Sequence, residues 1–140
     1  MELYDVLNFT NAARTHRLKA AKWVLDHPEI FEELVHVCFK NDKEISHKAN
    51  WVLEFVCLKE LRLLYPHLDY FFQHLSSVKE DSSVRPLSHI CELLCIVYFK
   101  EKDPLLKKAL TIKHKELMVE CCFDWLITNQ KVACEVRAMT

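Results

Sequence analysis

The residues able to do chemistry in this chain are its seven cysteines, its eight histidines and two glutamates set inside apolar runs. Cys91 and Cys95 stand one helical turn apart with His89 close by, a spacing that could serve a metal ion. Structural zinc, however, takes four ligands and holds its cysteine and histidine pairs on tight turns. Cys57 and Cys95 instead fall at matching places between aliphatic residues, where an unoxidised cysteine behaves as a small hydrophobe. Core packing is therefore expected, and no metal or cofactor is assigned. Cys121 and Cys122 are adjacent, so on a helix their side chains diverge and do not easily share one ion.

His16, His27, His36, His47, His67, His74, His89 and His114 share no motif. A general base needs a second group oriented at hydrogen-bond distance. No spacing supplies one, so these rings are expected at the surface or at helix ends and no catalytic residue is named. Glu54 and Glu92 occupy equivalent places in otherwise apolar stretches. A buried acid must be paired; a lysine, an arginine or a backbone helix end is the expected partner, with a binding site as the alternative. Two basic groups remain: Arg14, Arg17, Lys19 and Lys22, and then Lys100, Lys102, Lys107, Lys108, Lys113 and Lys115. Phosphate contact by such residues would give affinity with a steep salt dependence.

The elements that position these groups follow from an internal repeat. Val52-Leu-Glu-Phe-Val-Cys-Leu58 is echoed by Ile90-Cys-Glu-Leu-Leu-Cys-Ile96, and the same shift carries Pro28 onto Pro66 and Pro66 onto Pro104. A period near 40 residues with helical patterning marks stacked helical hairpins. The hairpins are predicted over about 10–40, 44–78 and 83–128, with 131–140 opening a fourth. Leu3, Val6 and Leu7 suggest a short helix lying over the first hairpin. Thr10 is expected to cap a helix to about Leu25 that buries Leu18, Ala21, Val24 and Leu25. Pro28 opens its partner, with Ile30, Leu34, Val37 and Cys38 inward and Asn41 as a left-handed C-cap.

Residues 44–61 read as a helix centred on Trp51, Val52, Phe55 and Leu58, followed by a second helix with Leu68, Phe71, Phe72 and Leu75 inward. Ser83 is expected to cap the next helix, with Pro86 in its first turn, and this helix continues to about Phe99. Lys100 to Lys115 is a lysine-rich insertion with a short helix opened by Asp103-Pro104. A last helix, from about Lys113 to Thr128, buries Leu117, Met118, Cys121, Cys122, Trp125 and Leu126 and ends at Asn129. Val136-Arg-Ala-Met-Thr140 aligns with Val84-Arg-Pro-Leu-Ser88, so the sequence stops inside a repeat and the native chain is expected to run on.

Composition narrows the function classes. Half the residues are apolar and the net charge is −1, which fits one folded domain and neither disorder nor a basic tail. Glycine is absent. Phosphate-cradling loops and nucleophile elbows use backbone conformations or close approaches that favour glycine, so those nucleotide-binding and hydrolase motifs are not expected. No apolar run nears the roughly 20 residues that span a bilayer, and the amino-terminal segment has no signal-peptide pattern. An odd number of scattered cysteines points to a reducing cytoplasm.

The paired helices, with proline opening second helices and Val-Arg near the start of first ones, resemble HEAT and armadillo-like solenoids. That resemblance implies an all-α, right-handed superhelix of about three and a half hairpins. Ile45-Ser-His-Lys-Ala-Asn-Trp-Val-Leu-Glu-Phe-Val56 and Cys122-Phe-Asp-Trp-Leu-Ile-Thr-Asn-Gln-Lys-Val132 also look like a family of small bacterial helical-repeat proteins, some labelled adenylosuccinate lyase. Lyases of that superfamily carry a mobile Gly-Ser-Ser loop followed by a Met-Pro-x-Lys-x-Asn run. Here Ser82-Ser83 is followed by Val-Arg-Pro and there is no glycine, so lyase activity is not expected.

In such solenoids the second helices line the concave face. That resemblance places Glu32, Glu33, Asp69, Tyr70, Gln73, His74, Glu116, Glu120 and Asp124 in the groove. Alkylation-repair glycosylases of the same solenoid class grip duplex phosphates with basic grooves, and an acidic lining repels a duplex. The leading expectation is a non-catalytic module binding a protein or peptide, a basic one by charge, with Tyr70 and His74 at the centre. Nucleic acid held by the lysine-rich insertion is the alternative.

Overall fold

Proline and polar punctuation divide the chain into eight α-helices in the computed structural model, which describes residues 3–10 and 14–127. These are α1 Leu3–Phe9, α2 Arg14–Asp26, α3 Phe31–Cys38, α4 Ser46–Lys59, α5 Leu68–Leu75, α6 Asp81–Ile96, α7 Pro104–Ala109 and α8 Ile112–Ile127. The structure is all-helical over these residues. The expected cap at Asn129 and the repeat start over 131–140 lie outside them.

The first helices α2, α4 and α6 stack side by side, while α3, α5 and α8 form the second layer. Leu34, Val35, Val52, Leu53, Val56, Phe71, Phe72, Leu75, Leu87 and Ile90 form the dry seam between the layers. Helix α1 buries Leu3, Val6 and Leu7 over the first hairpin, and its Tyr4 hydroxyl accepts a bond from Lys40 at 2.6 Å.

Prolines open the second helices through a tight turn rather than directly. Pro28–Ile30 is a 3₁₀ turn running into α3, and Leu61–His67 is another running into α5. Asn41 is left-handed (φ 58°), where its short polar side chain tolerates the strain that glycine would avoid. The insertion begins with a π-turn over Val97–Glu101 that closes on left-handed Lys102. Asp103 then caps α7 by accepting from the Leu105 amide at 3.0 Å.

Several local expectations change. The Thr10 hydroxyl donates back to the Val6 carbonyl at 2.9 Å and so closes α1, while its expected capping of α2 falls on residues 11–13, which lie outside the described residues. Leu18 and Leu58 are exposed, because the inward stripe of α2 runs through Ala20, Ala21 and Val24 and that of α4 through Val52, Leu53 and Val56. Helix α6 starts two residues before Ser83, with the Glu80 carbonyl accepting from the amides of Ser83 and Val84. Pro86 therefore sits in the second turn, where its missing N–H leaves out one bond of the ladder.

Burial decides which truncations hurt. Leu53, fully buried at the centre of α4, is expected to cost about 3 kcal/mol as Leu53→Ala. The half-buried Leu93 should cost about half as much as Leu93→Ala. Urea unfolding monitored by circular dichroism checks the ranking, and equal losses would misplace the seam.

Candidate functional site

The second helices α3 and α5 present a ring cluster. Tyr70 and His74, one turn apart on α5, stack with centroids 4.1 Å apart. His36 of α3 packs against Tyr70, tilted, with centroids 4.5 Å apart. Phe39 lies beneath, 6.0 Å from Tyr70 and edge-on to the buried Phe71 at 5.6 Å. The cluster is fixed by polar bonds: His74 Nδ1 donates to the Tyr70 carbonyl at 2.9 Å, and the Ser77 hydroxyl donates to the His74 carbonyl at 2.7 Å. Asn41 donates to the Ser77 hydroxyl at 3.3 Å, joining the ends of α3 and α5. Rings held in one arrangement lose little rotational freedom when a partner lands on them.

The second helices also carry exposed acids. Glu32 and Glu33 on α3, Asp69 and Gln73 on α5, and Glu116, Glu120 and Asp124 on α8 are all exposed, while Tyr70 and His74 are half-buried. Asp69 is tied to the next repeat. Its carboxylate accepts from His114 Nε2, and the histidine is buried to 6 % exposure while the aspartate remains 94 % exposed. The tautomer follows from the other nitrogen: His114 Nδ1 accepts from the Thr111 amide at 3.1 Å, while Thr111 Oγ1 accepts from the His114 amide at 3.2 Å. This is a capping box in which histidine replaces the usual glutamate. The ring also stacks on Phe72 at 5.5 Å, so one side chain caps α8 and seats it against α5.

The lysines of the insertion behave differently from one another. Lys100, Lys102, Lys107, Lys108 and Lys113 are exposed. Lys115 is half-buried and donates to the Tyr98 hydroxyl at 2.6 Å, with its ammonium 4.0 Å from that ring's centroid. Lys107 lies 6.0 Å from the same ring. Tyr98 thus gathers two of the six. On the outer layer, Arg17 rests over Trp51 at 4.1 Å and Arg14 over Phe55 at 5.3 Å, so half of the first basic group is spent on ring contacts.

Long-range pairs that local spacing did not reveal account for other polar groups. Glu54 of α4 meets His89 Nδ1 of α6 at 2.6 Å, a histidine where a lysine, an arginine or a helix end was expected. Tyr65 donates to Asp103 at 2.7 Å, with Arg62 3.5 Å from the same carboxylate. These residues border a cleft of about 540 Å³ that is also lined by Leu58, Leu93 and Val97. The Tyr65 hydroxyl, the Leu105 amide and Arg62 hold Asp103 below the usual carboxylate range. Burial and that same bond push Tyr65 up.

The cysteines are core residues only in part. Cys38, Cys57, Cys91 and Cys121 are buried, whereas Cys95 and Cys122 are half-buried. Burial raises Cys38 and Cys57, and lifts Cys121 to about 12. Among the described residues, no group of three or more histidine, cysteine or acidic side chains is arranged to hold a metal ion.

Paired helices around one continuous seam are the geometry of an α-solenoid, and the family model described as HEAT repeat domain matches residues 10–134. The chain belongs to this HEAT-repeat family. No curated protein and no solved structure matches it. Within the HEAT arrangement, the ring cluster and the exposed carboxylates lie on the second helices, with the lysine-rich insertion inserted ahead of the third. No helix of the described residues is long and apolar enough to cross a membrane.

Two outcomes test the pairs that hold this surface. Thr111→Ala, which removes half of the capping box, should lower unfolding free energy by about 1 kcal/mol in urea. Asp103 has a lowered folded value, so its contribution is present above about pH 4 and is lost as pH falls through that value. Asp103→Asn should therefore flatten the acid limb of melting temperature against pH below about 4. An unchanged limb would rule out its part in acid unfolding.

Proposed function

We propose that this HEAT-repeat chain is a non-catalytic interaction module that binds a basic, extended segment of a protein partner along its second helices. The observation that carries the reading is the packing of His36, Tyr70 and His74 with buried Phe39, on the same layer of helices as the exposed carboxylates. Tyrosine combines an apolar body with a polar tip, the chemistry of an interface anchor. Glu32, Glu33, Asp69, Glu116, Glu120 and Asp124 would draw lysine and arginine side chains and speed their encounter. HEAT repeats commonly mediate protein interactions, which supports the same reading at the level of fold. The setting proposed is cytoplasmic, and neither a cofactor nor a membrane enters it.

The alternative, nucleic acid held by the insertion, rests on exposed Lys100, Lys102, Lys107, Lys108 and Lys113. Lys115, packed on Tyr98, is less available to a phosphate. The exposed acids of the second helices oppose a duplex, so the peptide reading is preferred.

Fluorescence anisotropy with labelled lysine- and arginine-rich peptides, and with a labelled DNA duplex, separates the two. Tyr70→Ala should weaken peptide binding about tenfold with the helical spectrum intact. Paired Glu32→Gln and Glu33→Gln should slow association at low salt. Tight duplex binding that is lost on Lys107→Ala with Lys108→Ala would overturn the proposal.

A further inference from the structure

We infer that the loops joining α3 to α4 and α5 to α6 form a site for a tetrahedral oxyanion, a phosphate or a phosphoryl group, bound by Lys43, Lys79 and the buried Ser83. The inference does not depend on the proposed peptide surface. The two loops are tied together by the Asn41 amide, which donates to the Ser77 hydroxyl at 3.3 Å. Between them is a pocket of about 210 Å³. Sites for drug-sized ligands run from about 300 Å³ upward, so this one suits a small ion that keeps some of its water.

The lining sets the sign of the charge. Lys43 and Lys79 border the pocket against a single acid, Glu80, and all three are exposed. The starts of α4 and α6 reach it through Ser46 and Ser83. These helices have 14 and 16 residues, so both amino-terminal ends carry positive partial charge. Neither N-cap residue, Ile45 or Glu80, caps its helix with a side chain. In α6 the ladder opens with the Ser83 and Val84 amides on the Glu80 carbonyl, so the Asp81 and Ser82 amides stand ahead of it.

Helix ends and surface lysines do not by themselves specify a ligand; the hydroxyls do. Ser46 is committed, donating to the Val37 carbonyl at 2.8 Å and accepting from the Asp42 amide at 2.9 Å. Ser77 is committed too, donating to the His74 carbonyl at 2.7 Å and accepting from Asn41. Ser83 lines the same pocket at 4 % exposure, and its hydroxyl has no hydrogen-bond partner among the described residues. A hydroxyl buried without a partner costs free energy that an acceptor seated in the pocket would restore. The ligand must therefore accept a hydrogen bond from Ser83 and carry negative charge for the lysines and helix ends. A tetrahedral oxyanion does both, since one oxygen can take the Ser83 proton and leave the others for the lysines.

Backbone amide shifts of nitrogen-15-labelled protein, titrated with sodium phosphate at constant ionic strength set by sodium chloride, test the site. The expected result is saturable shifts confined to residues 41–46 and 77–84. A second titration with O-phosphoserine identifies the source of the anion. Tighter binding than inorganic phosphate assigns a phosphoryl group on a larger molecule, and equal or weaker binding assigns the free ion. Ser83→Ala should weaken phosphate binding about tenfold and Lys43→Gln about fivefold, with the remaining amides unmoved. Lys43 is exposed, so Lys43→Gln decides the matter even if Ser83→Ala folds poorly. Absence of saturable shifts, shifts spread over the lysines of the insertion, or binding untouched by Lys43→Gln overturns the inference.

Discussion

A chain without glycine must finish its helices by other means, and the structure depends on how it does so. The last carbonyls of a helix have no partner within it and are costly to bury unpaired. Here neighbouring elements supply the donors. Ser46 gives its hydroxyl to the Val37 carbonyl at 2.8 Å, and Asn50 gives its amide to the Cys38 carbonyl at 3.3 Å, so the buried start of α4 closes the end of α3. One repeat later, Trp125 of α8 donates its indole N–H to the Val78 carbonyl at 3.2 Å, just past the end of α5. Each bond completes a helix and also fixes how the next one stacks on it. His36, Phe39 and His74 of the ring cluster stand at the ends located in this way.

Signals confined to a few neighbouring residues were legible in the sequence. Pro28, Pro66 and Pro104 introduce second-layer and insertion helices, Asn41 takes the left-handed cap, and Asp103 caps α7. The apolar period placed Leu68, Phe71, Phe72 and Leu75 inward correctly. Errors arose where two local signals competed. Ser83 is a good cap residue, but extended Glu80 accepts the first helical bonds, so Ser83 is buried instead. Leu18 and Leu58 fit an apolar stripe by type, yet alanines and β-branched residues let the helices approach more closely on adjacent faces.

Partners across repeats were illegible for a different reason. Glu54 meets His89 and Asp69 meets His114, each pair more than thirty residues apart and set by helix rotation in the stack. Spacing alone does not encode that rotation. For His114 one sequence signal was present, since Thr111 stands three residues ahead of it in the capping-box pattern. Its position at the start of α8 could have been read, but not its reach to Asp69. The exposure of the candidate acids, by contrast, followed from the alternation of apolar and polar faces.

The layering also determines how the molecule comes apart. Helix α4 packs against α2, α3 and α6 at once, while α1 rests chiefly on α2, and α8 on α5 and α6. Contacts between neighbours only make a molecule behave as a short row of coupled switches rather than one indivisible unit. Opening then costs least at the periphery and most in the middle, so the slowest-exchanging amides belong to α4. Tyr70 and His74, on the hairpin that α4 begins, ride on the part of the row that opens last.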